Sequence, residues 1–95
     1  MKEVYLKIKG RVQGVGFRRW AEKQALQIGG ISGWVRNAED GSVEILMRGD
    51  AQHIEDMVIA CHKGPWLARV DGIEFKPSIT NFFLPQITDG IFERI

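Results

Sequence analysis

The sequence lacks several features that would place the protein in a particular class at once. Its 95 residues include one cysteine, Cys61, so an internal disulfide is excluded and a reducing compartment is favoured. No apolar run approaches the ~18 residues that a membrane-spanning helix needs. The first residues alternate in polarity and contain no continuous apolar signal region. We therefore expect a single domain, residues 1–95, in the cytoplasm and away from membranes.

Excess charge of one sign is also missing. Thirteen Lys and Arg residues are balanced by twelve Asp and Glu residues, which gives a formal net charge of +1. The distribution is uneven, however, because residues 1–19 contain six basic residues and one acidic residue, a local charge of six minus one, or +5. A positive N-terminal part of this kind attracts a small anion or, alternatively, nucleic acid.

The order of the hydrophobic patterns predicts a β-α-β-β-α-β fold. Two segments have apolar residues at helical spacing, and glycine-containing pairs, Gly29-Gly30 and Gly64-Pro65, end them. Asp50 is expected at the N-cap of the second helix. Strands are expected at residues 4–9, 31–36, 42–48 and 68–76, with a bulge at Gly72 and a last short strand near 91–94. We therefore expect an α+β, ferredoxin-like sandwich, with two helices on one face of an antiparallel sheet of four or five strands.

The most informative segment is a glycine-rich stretch between the first strand and the first helix, Gly10-Arg11-Val12-Gln13-Gly14-Val15-Gly16-Phe17-Arg18. Glycines allow backbone N–H groups to turn toward an anion, and a helix N-terminus adds donors and a favourable dipole. Arg18 adds a planar cation that matches phosphate geometry. The order of the residues differs from the Walker A and dinucleotide-binding motifs. The residues alone leave open a phosphate-binding loop and a tight strand-to-helix connection.

Other residue types that often carry out catalysis are not arranged for it. His53 and His62 have no acidic cluster at metal-ligand spacing, and both are expected on the second helix without a catalytic role. Cys61 does not begin a Cys-x5-Arg phosphate loop, because Leu67 occupies the arginine position, and it is expected in the core. The three tryptophans, Trp20, Trp34 and Trp66, are expected to be core or packing residues rather than a set that stacks on a ligand.

Two stretches of the sequence together resemble the signatures of the acylphosphatase family. Residues 8–18 are similar to the first signature throughout. The second signature is matched by Gly33-Trp34-Val35-Arg36-Asn37 followed by Gly41, Val43 and Gly49. The passage from the second helix to the fourth strand is matched by Gly64-Pro65, Ala68 and Val70. The C-terminus departs from the family, which often ends in aromatic-x-Ile-Arg, so the register of the last strand stays open.

The resemblance implies hydrolysis of acyl phosphates, the mixed anhydrides of a carboxylic acid and phosphate, to a carboxylate and inorganic phosphate. It implies that Asn37 orients the attacking water and that Arg18 binds the phosphate. It implies further phosphate contacts from the backbone amides of Gln13, Gly14, Val15, Gly16, Phe17 and Arg18. No metal and no cofactor are expected. The expected partners are a small acyl phosphate and inorganic phosphate as product and inhibitor, with no nucleic acid and no membrane, and the protein is expected to be a monomer.

The chemistry of acyl phosphates agrees with this set of residues. Their leaving carboxylate is a weak base that departs without protonation, so neutralising charge and placing a water in line are sufficient. Asn37 also has a second interpretation, as a residue that caps the turn before Asp40-Gly41. Two alternative functions stay open: a phosphate-binding module without catalysis, and an RNA-binding module, although the expected central strand 42–48 has no aromatic residue.

Overall fold

The computed structural model describes residues 1–77 and 84–95. The predicted order of strands and helices is confirmed, including the short C-terminal strand expected near residues 91–94. The elements are β1 (Lys2–Arg11), α1 (Phe17–Ile28), β2 (Ser32–Asn37), β3 (Val43–Gly49), α2 (Ala51–Lys63), β4 (Arg69–Pro77) and β5 (Phe92–Arg94). Within these two described ranges, no helix is both long enough and apolar enough to span a membrane.

The strands form one sheet in the order β4-β1-β3-β2-β5. Neighbouring strands among the first four are antiparallel, as predicted. The prediction of an antiparallel fifth strand is wrong, because β5 runs parallel to β2, with Gly33 opposite Phe92. Before β5, Leu84 and Ile87 lie on the face of the sheet that carries Trp34, and Trp34 Nε1 donates a hydrogen bond to Pro85 O at 2.9 Å. The sheet is therefore mixed.

The main core lies between the sheet and the two helices. Alternation along β1 places Val4, Leu6 and Ile8 on the helix-facing side, and all three are fully buried. The helices contribute buried residues at helical spacing: Phe17, Ala21 and Ala25 from α1, and Ile54, Met57 and Cys61 from α2. The predicted core position of Cys61 is confirmed, and burial raises the pKa of its thiol to about 12. Cys61 is therefore an unreactive packing residue.

The opposite face of the sheet carries a second, smaller cluster. Tyr5, Leu46 and Trp34 lie side by side on neighbouring strands, and Leu84 and Ile87 pack over them. Tyr5 and Trp34 are only 7% and 1% exposed. Ferredoxin-like domains that bind RNA present aromatic rings on the open sheet for bases to stack on. Here Tyr5 and Trp34 are both covered, which disfavours the RNA-binding interpretation.

Three connections meet at one edge of the sheet, which we call the site edge. β1 and β2 end there and β3 and β4 begin there, because β1 pairs antiparallel with both β3 and β4, and β2 pairs antiparallel with β3. The connections are residues 12–16 after β1, 38–42 after β2 and 64–68 before β4. The pairing of β1 with β4 shifts at Lys9/Gly10, so the bulge expected at Gly72 lies next to it, at Asp71.

Candidate active site

The loop at residues 12–16 turns on two glycines. Gly14 and Gly16 have φ angles of 74° and 79°, a left-handed conformation that side chains rarely adopt, and Gly16 is also the N-cap residue of α1. In the described part of the chain, nothing lies within 4 Å of the position that a Cβ would take at either glycine. The loop therefore combines left-handed turns, which direct backbone N–H groups toward one side, with open space above the main chain.

Helix α1 begins directly after this loop and is anchored by Phe17. The Phe17 ring is 2% exposed and packs edge-on against Trp20, with the ring centroids 5.2 Å apart. The first intrahelical bond runs from Trp20 N to Gly16 O at 3.0 Å, so the N–H groups of the first turn remain available to a ligand. No acidic residue lies in that turn. Arg18, the residue after Phe17, is exposed in the same first turn, at the positive end of the helix dipole.

The positive charge predicted for the N-terminal part is concentrated near this loop. Lys7 and Lys9 farther back on β1 are ion-paired, each at 2.7 Å, with Asp40 and Glu74. The exposed arginines flank the loop: Arg11 at the end of β1, and Arg18 and Arg19 in the first turn of α1. An anion that approaches the site edge therefore meets guanidinium groups rather than lysines already bound to carboxylates.

Asn37, the last residue of β2, lies at the same edge. Alternation places its side chain on the same face of the sheet as Val35, which belongs to the core beneath the helices. Val43 pairs with both Asn37 and Ile8, so Asn37 is two strands away from the end of β1. Two strand spacings amount to roughly 10 Å between backbones. That span can hold a phosphoryl group and a water molecule.

The turn after Asn37 is closed by other residues. Ala38 N donates to Ser42 O at 2.9 Å, and Asp40 Oδ1 accepts hydrogen bonds from the backbone N and Oγ of Ser42 at 3.0 and 2.6 Å. The Lys7 ammonium and the Ser42 donors hold the pKa of Asp40 well below its usual range. Among the residues that the structure describes, none forms a hydrogen bond with the Asn37 side chain. Asp40, rather than Asn37, therefore caps this turn.

The Gln13 side chain joins the loop to the turn after Asn37, a role that the sequence did not predict. The half-buried Gln13 uses its one amide nitrogen, Nε2, to donate to Ala38 O at 2.8 Å and to Ser42 O at 2.9 Å. These carbonyls lie at the two ends of the turn that follows Asn37. The sequence predicted only a backbone contact for Gln13, because no spacing rule connects a loop glutamine with a turn 25 residues away. The loop and the Asn37 turn are thus held at a fixed separation.

The other candidates lie away from this arrangement. His53 is at the opposite end of the sheet, where a Cβ on Gly30 would be 2.8 Å from its Nδ1. His62 is exposed in the last turn of α2. Within residues 1–77 and 84–95, no group of three or more His, Cys, Asp or Glu side chains is placed to hold a metal ion. The residues from Gln13 to Arg18 and Asn37 are the predicted site residues that the fold brings to one edge.

One aromatic prediction is wrong. Trp34 is buried and Trp20 packs against the core, but Trp66 is 96% exposed. It lies in the 64–68 connection, where Ala68 N donates to Pro65 O at 3.0 Å and closes a turn with Trp66 at its tip. Hydrophobicity alone predicted a packed side chain, whereas the turn directs it into solvent.

Together these features define a domain of ferredoxin-like fold that brings a glycine loop, a helix N-terminus and an arginine to one edge of its sheet. The sequence profile of the family Acylphosphatase matches residues 4–83. An acylphosphatase of Nitrobacter hamburgensis is 53% identical over 74 residues, covering 78% of this chain and 74% of the relative. One of Syntrophotalea carbinolica is 41% identical over 96 residues, covering 99% of this chain and 95% of the relative.

The crystal structure of acylphosphatase from Bacillus subtilis superposes with a TM-score of 0.83 at 30% sequence identity, covering 100% of this chain and 99% of that one. The chain therefore belongs to the acylphosphatase family, and it is a hydrolase, as the sequence predicted. The ferredoxin-like fold is confirmed by the same similarity.

Proposed function

We propose that the chain hydrolyses the carboxyl–phosphate bond of small acyl phosphates at the site edge. Arg18 and the backbone amides of residues 13–18 bind the phosphoryl group, and Asn37 orients the attacking water. The observation that carries this proposal is the pair of hydrogen bonds from Gln13 Nε2 to Ala38 O and Ser42 O, which joins the phosphate loop to the turn after Asn37.

Phosphate binding at the loop follows from its conformation and charge. Left-handed Gly14 and Gly16 give the chain the alternating conformation in which successive N–H groups converge on an anion. The first turn of α1 contributes further N–H groups and the positive end of the helix dipole. Arg18 is exposed in that turn, so its two-pronged guanidinium can reach two phosphate oxygens at once.

Asn37 suits the positioning of water because its amide is neutral. Its carbonyl oxygen can accept a hydrogen bond from water while its NH₂ group donates to a phosphate oxygen. A carboxylate there would repel the substrate. Because Asp40 closes the turn, the amide of Asn37 is not needed to hold the backbone. The tether from Gln13 fixes the distance between this amide and the loop, which limits how far the water can move from the in-line direction.

The reaction then needs one displacement at phosphorus. The water oxygen forms a bond to phosphorus while the bond from phosphorus to the acyl oxygen breaks and its electron pair leaves with the carboxylate. A water proton passes to a phosphate oxygen or to solvent, and inorganic phosphate remains. The leaving carboxylate is a weak base, so no protonating side chain is required. Arg18 neutralises the charge that accumulates on the phosphoryl oxygens.

We also propose a domain organisation, an oligomeric state, partners and a cellular location for the enzyme. Residues 1–95 act as one acylphosphatase-like domain, as a monomer, with the acyl phosphate as substrate and inorganic phosphate as product and inhibitor. Nucleic acid is not a partner, since Tyr5 and Trp34 on the sheet face are covered by Leu84 and Ile87. The buried thiol of Cys61 suits the reducing cytoplasm, where we place the protein.

Turnover of acetyl phosphate by the wild type and two matched arginine variants tests the proposal. Arg18→Gln removes the proposed phosphate cation, and we expect the rate to fall by ~10²–10³. Arg19→Gln removes the same charge from the neighbouring exposed residue and serves as the control, with activity within a few-fold of wild type. No phosphate release by the wild type, or equal losses in the two variants, would contradict the assignment.

A further inference from the structure

Two neighbouring apolar side chains at the site edge have no role in the reaction described so far. Trp66 is 96% exposed and Leu67 is 62% exposed, both in the 64–68 connection. Isolated exposed apolar residues are common on protein surfaces. An indole that is almost fully exposed is unusual, because tryptophan is highly buried on average. Whether Trp66 can contact a ligand therefore depends on where it lies relative to the phosphate loop.

The connection that carries Trp66 is adjacent to the phosphate loop. The last residue of β1, Arg11, pairs with Arg69 at the start of β4, so the loop and the connection leave the sheet side by side. The connection also packs against the beginning of α1, since a Cβ on Gly64 would lie 3.1 Å from Cε2 of Phe17. Phe17 directly precedes Arg18. The exposed apolar pair is thus held next to the phosphate-binding end of the helix.

The order of strands places this pair and Asn37 on opposite sides of the loop. In the sheet order β4-β1-β3-β2, the loop follows β1, Trp66 and Leu67 precede β4, and Asn37 ends β2. In phosphoryl transfer the attacking and leaving oxygens lie roughly in line, on opposite sides of phosphorus. A water held by Asn37 on the β2 side therefore requires that the acyl group leaves toward the β4 side.

The geometry points to Trp66 and Leu67 as the surface that contacts the acyl group, and to acyl phosphates with an aromatic or other bulky apolar acyl group as the preferred substrate class. This inference rests on the proposed function, because it needs the phosphate at the loop and the water at Asn37. An aromatic acyl group can stack on the indole and remove apolar area from water. An acetyl group presents one methyl group and gains little from the same surface.

The test compares benzoyl phosphate with acetyl phosphate in the wild type, Trp66→Ala, Trp66→Phe and the control Leu26→Ala. Leu26 is also a large exposed apolar residue, at 75%, but it lies in the last turn of α1, away from the site edge. In Trp66→Ala we expect kcat/KM for benzoyl phosphate to fall about two- to tenfold relative to acetyl phosphate, as loss of an aromatic contact predicts. Trp66→Phe retains the preference. Inhibition by inorganic phosphate, which has no acyl group, stays the same.

The outcomes separate this inference from the function on which it rests. If the wild type hydrolyses acetyl phosphate but Trp66→Ala leaves the ratio of the two substrates unchanged, the inference is overturned and the proposed function stands. An equal change in Leu26→Ala would overturn it in the same way, because the effect would then be one of general surface hydrophobicity. If the wild type hydrolyses neither substrate, the proposed function fails and the inference fails with it.

Discussion

Replacing Asn37 with alanine separates a role in positioning water from a role in holding the turn. The side chain is exposed at the end of β2, and the turn after it is closed by Asp40, Ser42 and the Ala38 backbone. Removal of the amide therefore leaves every described hydrogen bond of that turn in place. The phosphate loop also keeps Arg18 and its left-handed glycines. We expect a variant that folds and binds phosphate as the wild type does but turns substrate over slowly.

The two expected magnitudes differ enough to be distinguished. A surface substitution away from caps and buried networks changes the free energy of unfolding by about 0.5 kcal/mol or less. A domain with a stability of even ~5 kcal/mol remains folded after that loss. A misplaced nucleophile lowers turnover ~10²-fold or more, which corresponds to about 2.7 kcal/mol in the barrier. Loss of folded protein therefore cannot account for the expected loss of rate.

Three measurements on one preparation are needed: turnover of acetyl phosphate, inhibition by inorganic phosphate and the urea midpoint. We expect kcat to fall ~10²-fold while the inhibition constant for phosphate and the midpoint change little. Glu39→Ala alters the next exposed side chain in the same segment; this variant serves as the control and retains turnover. If Asn37→Ala keeps its turnover, or if the urea midpoint falls by an amount that explains the loss, Asn37 is not the water-positioning residue.

Four further predictions concern the candidate site. Arg18→Lys keeps the charge but loses the two-pronged geometry, so we expect a loss of more than ~10-fold in kcat/KM, and wild-type values would refute the bidentate contact. Gln13→Met keeps the length of the side chain and removes its hydrogen bonds to Ala38 O and Ser42 O. Each bond contributes ~0.5–1.5 kcal/mol, so the variant is less stable, and kcat falls more than phosphate affinity does; equal losses of both would show that the tether does not position Asn37. EDTA leaves activity unchanged because the described residues offer no metal-ligand cluster, whereas inorganic phosphate raises KM without lowering kcat, and non-competitive inhibition would place phosphate elsewhere.

The first four strands and both helices could be predicted because their apolar residues recur at a regular spacing along the sequence. Alternation marks β1 to β3, and the spacing of Ile54, Met57 and Cys61 marks α2, since in each the same face contacts one core. The direction of β5 could not be predicted. A strand of three residues has no burial pattern of its own, and its direction depends on the path of the chain past Trp34. Solvent exposure of Trp66 likewise depends on the turn that begins at Pro65.

Much of the candidate site could be predicted because its residues are adjacent in the sequence. The left-handed glycines and Arg18 lie within one loop, where local geometry determines their arrangement. The contact between Gln13 and the turn after Asn37 could not, because it forms only when the strand order brings two distant segments to one edge. Asp50 occupies the N-cap of α2 as predicted, but its side chain makes no hydrogen bond there.

Hydrolysis in ¹⁸O-labelled water is the sharpest test of the proposed reaction, because it shows which atom the water attacks. In the proposed reaction the loop amides and Arg18 hold the phosphoryl group and Asn37 holds the water, so the new bond forms to phosphorus. After a single enzymatic turnover of acetyl phosphate, mass spectrometry should find the label in inorganic phosphate and none in acetate. Label in acetate would mean that water attacks the carbonyl carbon, and the roles given to Arg18 and Asn37 would both be wrong.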